Sequence, residues 1–414
     1  MRDHGGVRRR AALLLPVLLV LPGCVTLEAP TAEERPAAQQ DARLSSHEPD
    51  VDMSTARLTP DCPAPEPGAT YSAAQYNRAM DRIDYPQWQS ADLGATAVLS
   101  DGRVFWAWGD TGREEGFVPQ LVDNSVLISS GTCFSQLLTD EDGPLFPRGP
   151  DGLTLWPMSV IRLDPRPADG PGVTDVVIIY QSRIQRGDRQ WDFLYRGTSA
   201  AVLLVGEDGV PRLQRTVEMT PDSADYDQIN WGAAAAPDGD WIYLYGTRYT
   251  AEAYVTGREL YVSRVPRSDP TNAGAQQFWD GAEWQDDPTL VAPIIDAIDG
   301  TSQTLSVDRI GDRWVAVSKR GGDLADQITT WTSDAPTFPT YTVDDVLSSP
   351  NGHDAPEGER SLQYTPLSHP DVPTTSGDLL VTVSRNTDDI DLLFDEPQRG
   401  RVLFAEVPLD APPQ

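Results

Sequence analysis

Along this chain the apolar positions fall into short strand-like runs. Stretches of β-branched and aromatic residues alternate with clusters of Gly, Pro, Asp and Asn, the pattern of an all-β fold. Only Ser72 to Ile83 carries helical spacing. One motif recurs: a turn, an aliphatic-aromatic strand, then a small or polar residue followed by charged ones. It runs Arg103–Thr111, Asp175–Arg183, Trp241–Arg248, Arg313–Arg320 and Leu379–Asn386. Trp108, Tyr180, Tyr245, Val317 and Val383 hold equivalent positions, spaced by 72, 65, 72 and 66 residues. Later copies are followed by further strand candidates at 199–205, 259–265, 327–332 and 401–407. A fixed period in an all-β chain indicates radial repetition, with room for four strands per repeat. The expected fold is a five-bladed β-propeller over residues 69–410. A β-sandwich would explain the strands but not the period.

The first copy contains a hairpin with a carboxylate at each open end. Ser100-Asp101-Gly102 is its turn signal. A three-residue turn pairs Leu99 with Arg103 and sets Asp92 opposite Asp110, with Cβ atoms about 5 Å apart. A two-residue turn sends the two acids to opposite faces. Two carboxylates on one face either bind a cation or separate into an acid and a base. The positions matching Asp110 in the other copies are Ser182, Thr247, Lys319 and Arg385, with Arg183, Arg248 and Arg320 close by. If those corners share one rim, it is acidic at blade 1 and basic elsewhere. Asp92 and Asp110 are therefore the catalytic candidates. Arg248, Lys319, Arg320 and Arg385 are candidates for substrate binding. Asn124 could hydrogen-bond a hydroxyl, and Trp156 and Trp231 could stack on a sugar ring. The competing structural roles are a turn cap for Asp110, solvated edge charges for the cations, and blade packing for the aromatics. Packing is expected for Trp106 and Trp108.

The N-terminus reads differently. Arg8-Arg9-Arg10, the apolar run Ala11–Leu21, and Leu21-Pro22-Gly23-Cys24 resemble a bacterial lipoprotein signal over residues 1–23, with Cys24 as the lipidated residue. The rest would then lie outside the cytoplasmic membrane, held by acyl chains alone. Residues 24–68 are rich in Ala, Pro, Glu, Asp and Ser and are expected to form a flexible spacer. Cys62 and Cys133 remain as a pair in an oxidising compartment, where a disulfide can form; two unrelated thiols are the alternative. With 63 acidic against 32 basic residues, the net charge of −31 argues against nucleic acid and against docking on anionic lipid. A monomer is expected.

No HExxH, CxxC, P-loop or Gly-x-Ser-x-Gly elbow is present. No cofactor is expected, although the run Asp388-Asp389-Ile390-Asp391 leaves room for a structural calcium ion. Ala91-Asp92-Leu93-Gly94, Asp101-Gly102-Arg103, Trp108-Gly109-Asp110-Thr111 and Asn124-Ser125 together resemble a bacterial propeller family first catalogued as a domain of unknown function. Some of its members are endo-D-arabinanases that cleave the D-arabinan of mycobacterial-type cell walls. The resemblance is strongest over residues 88–126. It implies a five-bladed propeller with paired aspartates at the channel mouth, at Asp92 and Asp110. The expectation is a lipoprotein glycoside hydrolase acting on a furanose polysaccharide. The rival is a non-catalytic propeller that binds cell-wall glycan or a protein partner.

Overall fold

The computed structural model describes residues 44–48, 51–149, 151–189, 191–351 and 361–409. Five antiparallel sheets follow one another along the chain. Their inner strands are Ser90–Val98, Thr154–Leu163, Asn230–Asp238, Ser306–Ile310 and Ser361–Ser368. Each inner strand packs against that of the next blade, and the fifth returns to the first, so the ring closes. The chain is a five-bladed propeller, as its period implies. The second strands are Val104–Gly112, Val173–Arg186, Trp241–Arg248, Arg313–Lys319 and Leu379–Thr387. The repeat positions Trp108, Tyr180, Tyr245, Val317 and Val383 all have 0% exposure. They lie in the apolar layers between neighbouring blades, with Val317 and Val383 sharing the layer between blades 4 and 5. That burial explains why the period survives in the apolar positions while the polar ends vary.

Blade 5 departs from the expected four strands: its sheet has three. The helix Ala73–Asp81 covers its outer edge instead. Ser72 and Gln75 form a reciprocal capping box at the helix start. The Asn77 side chain accepts from the Phe404 backbone N–H at 2.8 Å and donates to the Phe404 carbonyl at 2.9 Å. Tyr76 stacks on the Phe404 ring at 5.1 Å. The helix thus blocks an edge that would otherwise invite pairing with another strand.

The expected spacer needs correction over its second half. Arg57–Thr59 pairs with Cys133–Leu138 as the outermost strand of blade 1, and Ser46–His47 pairs with the outer strand of blade 2. A disulfide joins Cys62 to Cys133, with Cα atoms 5.9 Å apart. Within this segment, Met53 and Ala56 are buried in the core layer shared by blades 1 and 2. A polar segment can satisfy an open sheet edge with its backbone, so its low apolar content does not keep it off the fold. The signal, Cys24 and the spacer up to residue 43 lie outside the described residues. No helix among the described residues is long and apolar enough to cross a membrane. In the acidic run, Asp389 caps the short helix Ile390–Asp395. Among the described residues, no cluster of three or more His, Cys, Asp or Glu is arranged to hold a metal ion.

Candidate active site

The hairpin turn is the three-residue kind. Gly102 has φ +83°, its N–H bonds to Leu99 O at 2.9 Å, and Leu99 N–H bonds to Arg103 O at 2.8 Å. The expected register holds at Ala95–Ala107 and again at Ala91–Thr111. Between them the ladder is irregular, and Leu93 pairs with Trp108. Asp92 and Asp110 are therefore not a regular cross-strand pair. Leu93 and Gly94 are both left-handed, at φ +65° and +90°. A β-carbon on Gly94 would come within 2.7 Å of the Trp108 ring. A β-carbon on Gly109 would overlap Asp92 Oδ1. The bulge thus lays the Asp92 side chain over Gly109, next to Asp110. The inner strands of blades 2, 3 and 5 are also irregular, at Pro157–Ser159, Trp231–Ala234 and Tyr364–Leu367. Bulges of this kind re-aim side chains at sites of function.

The two acids have unlike partners. Asp92 Oδ2 accepts from the Tyr364 hydroxyl at 2.8 Å, and that hydroxyl accepts from Asn386 Nδ2 at 3.1 Å. Asp92 Oδ1 is buried with no hydrogen-bond partner. Asp110 Oδ1 accepts from Trp156 Nε1 at 3.0 Å and from the Arg186 guanidinium. The Arg186 guanidinium also lies over the Trp156 ring, 5.1 Å from its centre. On its other side, Arg186 Nε donates to Asp123 Oδ1 at 3.2 Å, and Arg148 Nε donates to Asp123 Oδ2 at 2.9 Å. Asp110 and Arg186 each keep 24% side-chain exposure, so the pair is reachable from the rim.

Burial dominates the electrostatics. It raises Asp92, against the Tyr364 hydroxyl and the Arg186 charge, which pull it down. Burial also pushes Asp110 up to about 7, with Arg186 lowering it and Asp92 raising it. Burial opposes the charge on Arg186, but Asp110 and Asp123 hold it protonated. Burial, then Asp92, keeps the Tyr364 hydroxyl protonated and able to donate. The two carboxyls titrate as a coupled pair. Asp110 has the bonded cation, which favours its ionised form. Asp92 has none, and its unpartnered oxygen favours the neutral carboxyl. Asp110 is thus held by two side chains of blade 2 and is not a turn cap.

The other expected site residues are distributed differently. Trp156 is at the site, bonded to Asp110. Trp231 is not exposed: it is buried against Phe278, 5.6 Å between ring centres. Asn124 is buried and fully engaged, donating to the carbonyls of Phe146 and Leu155 and accepting from Phe146 N–H. It fastens a loop, while its neighbour Asp123 serves the site. Lys319 has 0% exposure, and its amine donates to Ser349 O at 2.8 Å and Gln363 O at 2.5 Å. It ties blade 4 to blade 5. Arg320 pairs with Asp345 on the outer strand of its own blade, at 3.1 Å. Arg248 pairs with Glu259 at 2.8 Å. Arg385 donates to the carbonyls of Arg401 and Gln398. A basic rim over blades 2 to 5 does not form, because these cations are taken up by local carboxylates and carbonyls. The cation that faces the acids is Arg186. It ends a 14-residue strand, three residues beyond where the repeat motif stops. The continued run Ile184-Gln185-Arg186 was the signal for it. Asn386 and Arg148 had no sequence signal.

A family model described as a domain of unknown function, DUF5005, matches residues 73–402. No curated protein matches the chain. Among solved structures, the chain is similar to a putative hydrolase from Bacteroides ovatus, with 16% identity and a TM-score of 0.60, covering 87% of this chain and 95% of that one. It is more distantly similar to an α-L-arabinanase mutant from Cellvibrio cellulosa, with 12% identity, a TM-score of 0.45, and coverage of 79% and 94%. A family 117 glycoside hydrolase from Zobellia galactanivorans gives 11% identity, a TM-score of 0.42, and coverage of 84% and 88%. The match runs from the edge-covering helix into the fifth blade and takes in both aspartates: this chain belongs to the DUF5005 family.

Proposed function

We propose that this protein is a glycoside hydrolase that cleaves a furanose polysaccharide within its chain, with cell-wall D-arabinan as the substrate. It would work outside the cytoplasmic membrane, tethered as a lipoprotein through Cys24. The observation that carries the reading is the coupled carboxylate pair at one mouth of the channel. One member is bonded to a guanidinium and the other to a phenol. Paired acids whose environments separate their protonation are what glycosidic cleavage requires. Asp92 is the acid that protonates the departing glycosidic oxygen. Asp110, ionised against Arg186, is the base or nucleophile on the sugar. Trp156 and Arg186 fix Asp110, and Tyr364 and Asn386 fix Asp92. The choice of D-arabinan rests on the motif resemblance over residues 88–126.

The substrate class is tested by incubating the purified protein with arabinogalactan and a panel of other furanose and pyranose glycans. Oligosaccharides released from arabinogalactan are the expected result. No release from any glycan by folded protein contradicts the enzyme reading and favours the non-catalytic binder.

A further inference from the structure

Exposed aromatic side chains are unevenly placed on this molecule. Among the described residues, Trp191 (47% exposed), Phe193 (39%), Tyr226 (64%), Tyr254 (105%) and Tyr341 (39%) are the exposed aromatics. Trp191, Tyr226 and Tyr254 lie in loops of blades 2 and 3, and Phe193 begins the third strand of blade 2, all at the end of the blades that carries the acid pair. Tyr341 lies at the opposite end, between the outer strands of blade 4. Large apolar side chains grouped in this way mark a binding surface.

The group is continuous with the acids. Trp156, bonded to Asp110, meets Phe193 edge to face at 5.0 Å. Two residues on, the third strand of blade 2 is stitched to the loop carrying Tyr226. Gln228 Nε2 donates to Tyr195 O at 3.0 Å, and Ser223 N–H donates to Arg196 O at 2.9 Å. Tyr226 then meets Tyr249 of blade 3 edge to face at 5.5 Å. The Arg258 guanidinium lies 5.7 Å from the Tyr249 ring centre. The path therefore runs from Asp110 across blade 2 to blade 3.

We infer that these aromatics form an extended glycan-binding track, along which a neutral polysaccharide lies with its sugar rings stacked from Trp156 outwards to Trp191 and Tyr226. Flat aromatic faces match the C–H faces of sugar rings, and they lose little conformational entropy on binding because they have few rotatable bonds. An uncharged polymer also suits a chain of net charge −31, which repels polyanions. The track lies to one side of the acids, so the enzyme holds a long stretch of chain on its blade 2–3 side. The inference rests on the glycan reading of the acid pair and deepens it.

The test separates binding from cleavage by using the Asp92→Asn protein and affinity electrophoresis in soluble arabinogalactan. The parent should be retarded. Adding Trp191→Ala or Tyr226→Ala should weaken retardation at least tenfold, and Tyr341→Ala should leave it intact. Near-ultraviolet circular dichroism confirms that each variant is folded. Unchanged retardation in the Trp191 and Tyr226 variants overturns the track, as does equal loss in the Tyr341 variant or an unretarded parent. Cleavage by the wild type with retardation untouched by the aromatic changes keeps the hydrolase and removes the track. Retardation through the aromatics without cleavage does the reverse.

Discussion

At the scale of single residues, the proposed reaction rests on Asp92 and Asp110, whose neighbours differ. Arg186 is the group that favours ionised Asp110. The sign follows from that charge. Removing the cation raises the Asp110 pKa, so the base ionises only at higher pH. Arg186→Met should therefore move the acidic limb of kcat/KM upward by about one unit or more. Arg186→Lys should recover part of the shift by restoring the charge without the forked geometry. An acidic limb unmoved in the Met variant would remove Arg186 from the account. Asp110 stands out in the sequence as an Asp among Ser, Thr, Lys and Arg at its repeat position, whereas Asp92 rests on the hairpin register and the motif resemblance. Trp156 is legible as a sugar-stacking side chain, not as a partner of Asp110, and the pairing of Asp92 with Tyr364 is not legible because the two lie 272 residues apart.

At the scale of elements, bulges in neighbouring blades make the site. Leu93 follows Asp92 and Thr365 follows Tyr364, and both are left-handed, at φ +65° and +44°. Such conformations cost about 1–3 kcal/mol each unless the surroundings hold them. Here one buried hydroxyl serves both. Leu93 N–H donates to Ser384 Oγ at 2.9 Å, and Thr365 Oγ1 donates to the same oxygen at 2.5 Å. Ser384 thus fixes the approach of Asp92 to Tyr364. Ser384→Ala should lower kcat/KM about tenfold or more, while the unfolding free energy from urea titration falls by only about 1–2 kcal/mol. Ser384→Thr should retain activity. Wild-type turnover in the Ala variant would show that the bulges hold themselves. The strands and the helix were readable because period and capping are local signals. A leucine at positive φ leaves no local signal, so the hairpin register was read correctly at both ends but not at Asp92.

At the scale of the whole molecule, the ring is closed twice. The helix Ala73–Asp81 packs on the last strand of blade 5, and the Cys62–Cys133 disulfide fastens the preceding segment to blade 1. That bridge spans 71 residues. On the chain-entropy relation, it stabilises the fold by about 4 kcal/mol. Urea unfolding of the Cys62→Ser, Cys133→Ser protein should show a loss of this order, and no loss would mean that the outer strand alone holds the segment. The five-fold architecture was legible because each blade buries one residue at the same repeat position. The edge pairing of Ser46–His47 and Arg57–Thr59 was not, because backbone bonds to an open sheet edge ask little of the side chains. What the ring accomplishes is to bring blades 1, 2 and 5 to one mouth around two acids. The most direct measurement of that claim is reducing-end release from arabinogalactan by wild type, Asp92→Asn and Asp110→Asn, with thermal midpoints taken alongside. The account predicts a loss of at least about a thousandfold in each variant with the fold retained. Release at the wild-type rate from either folded variant would contradict it.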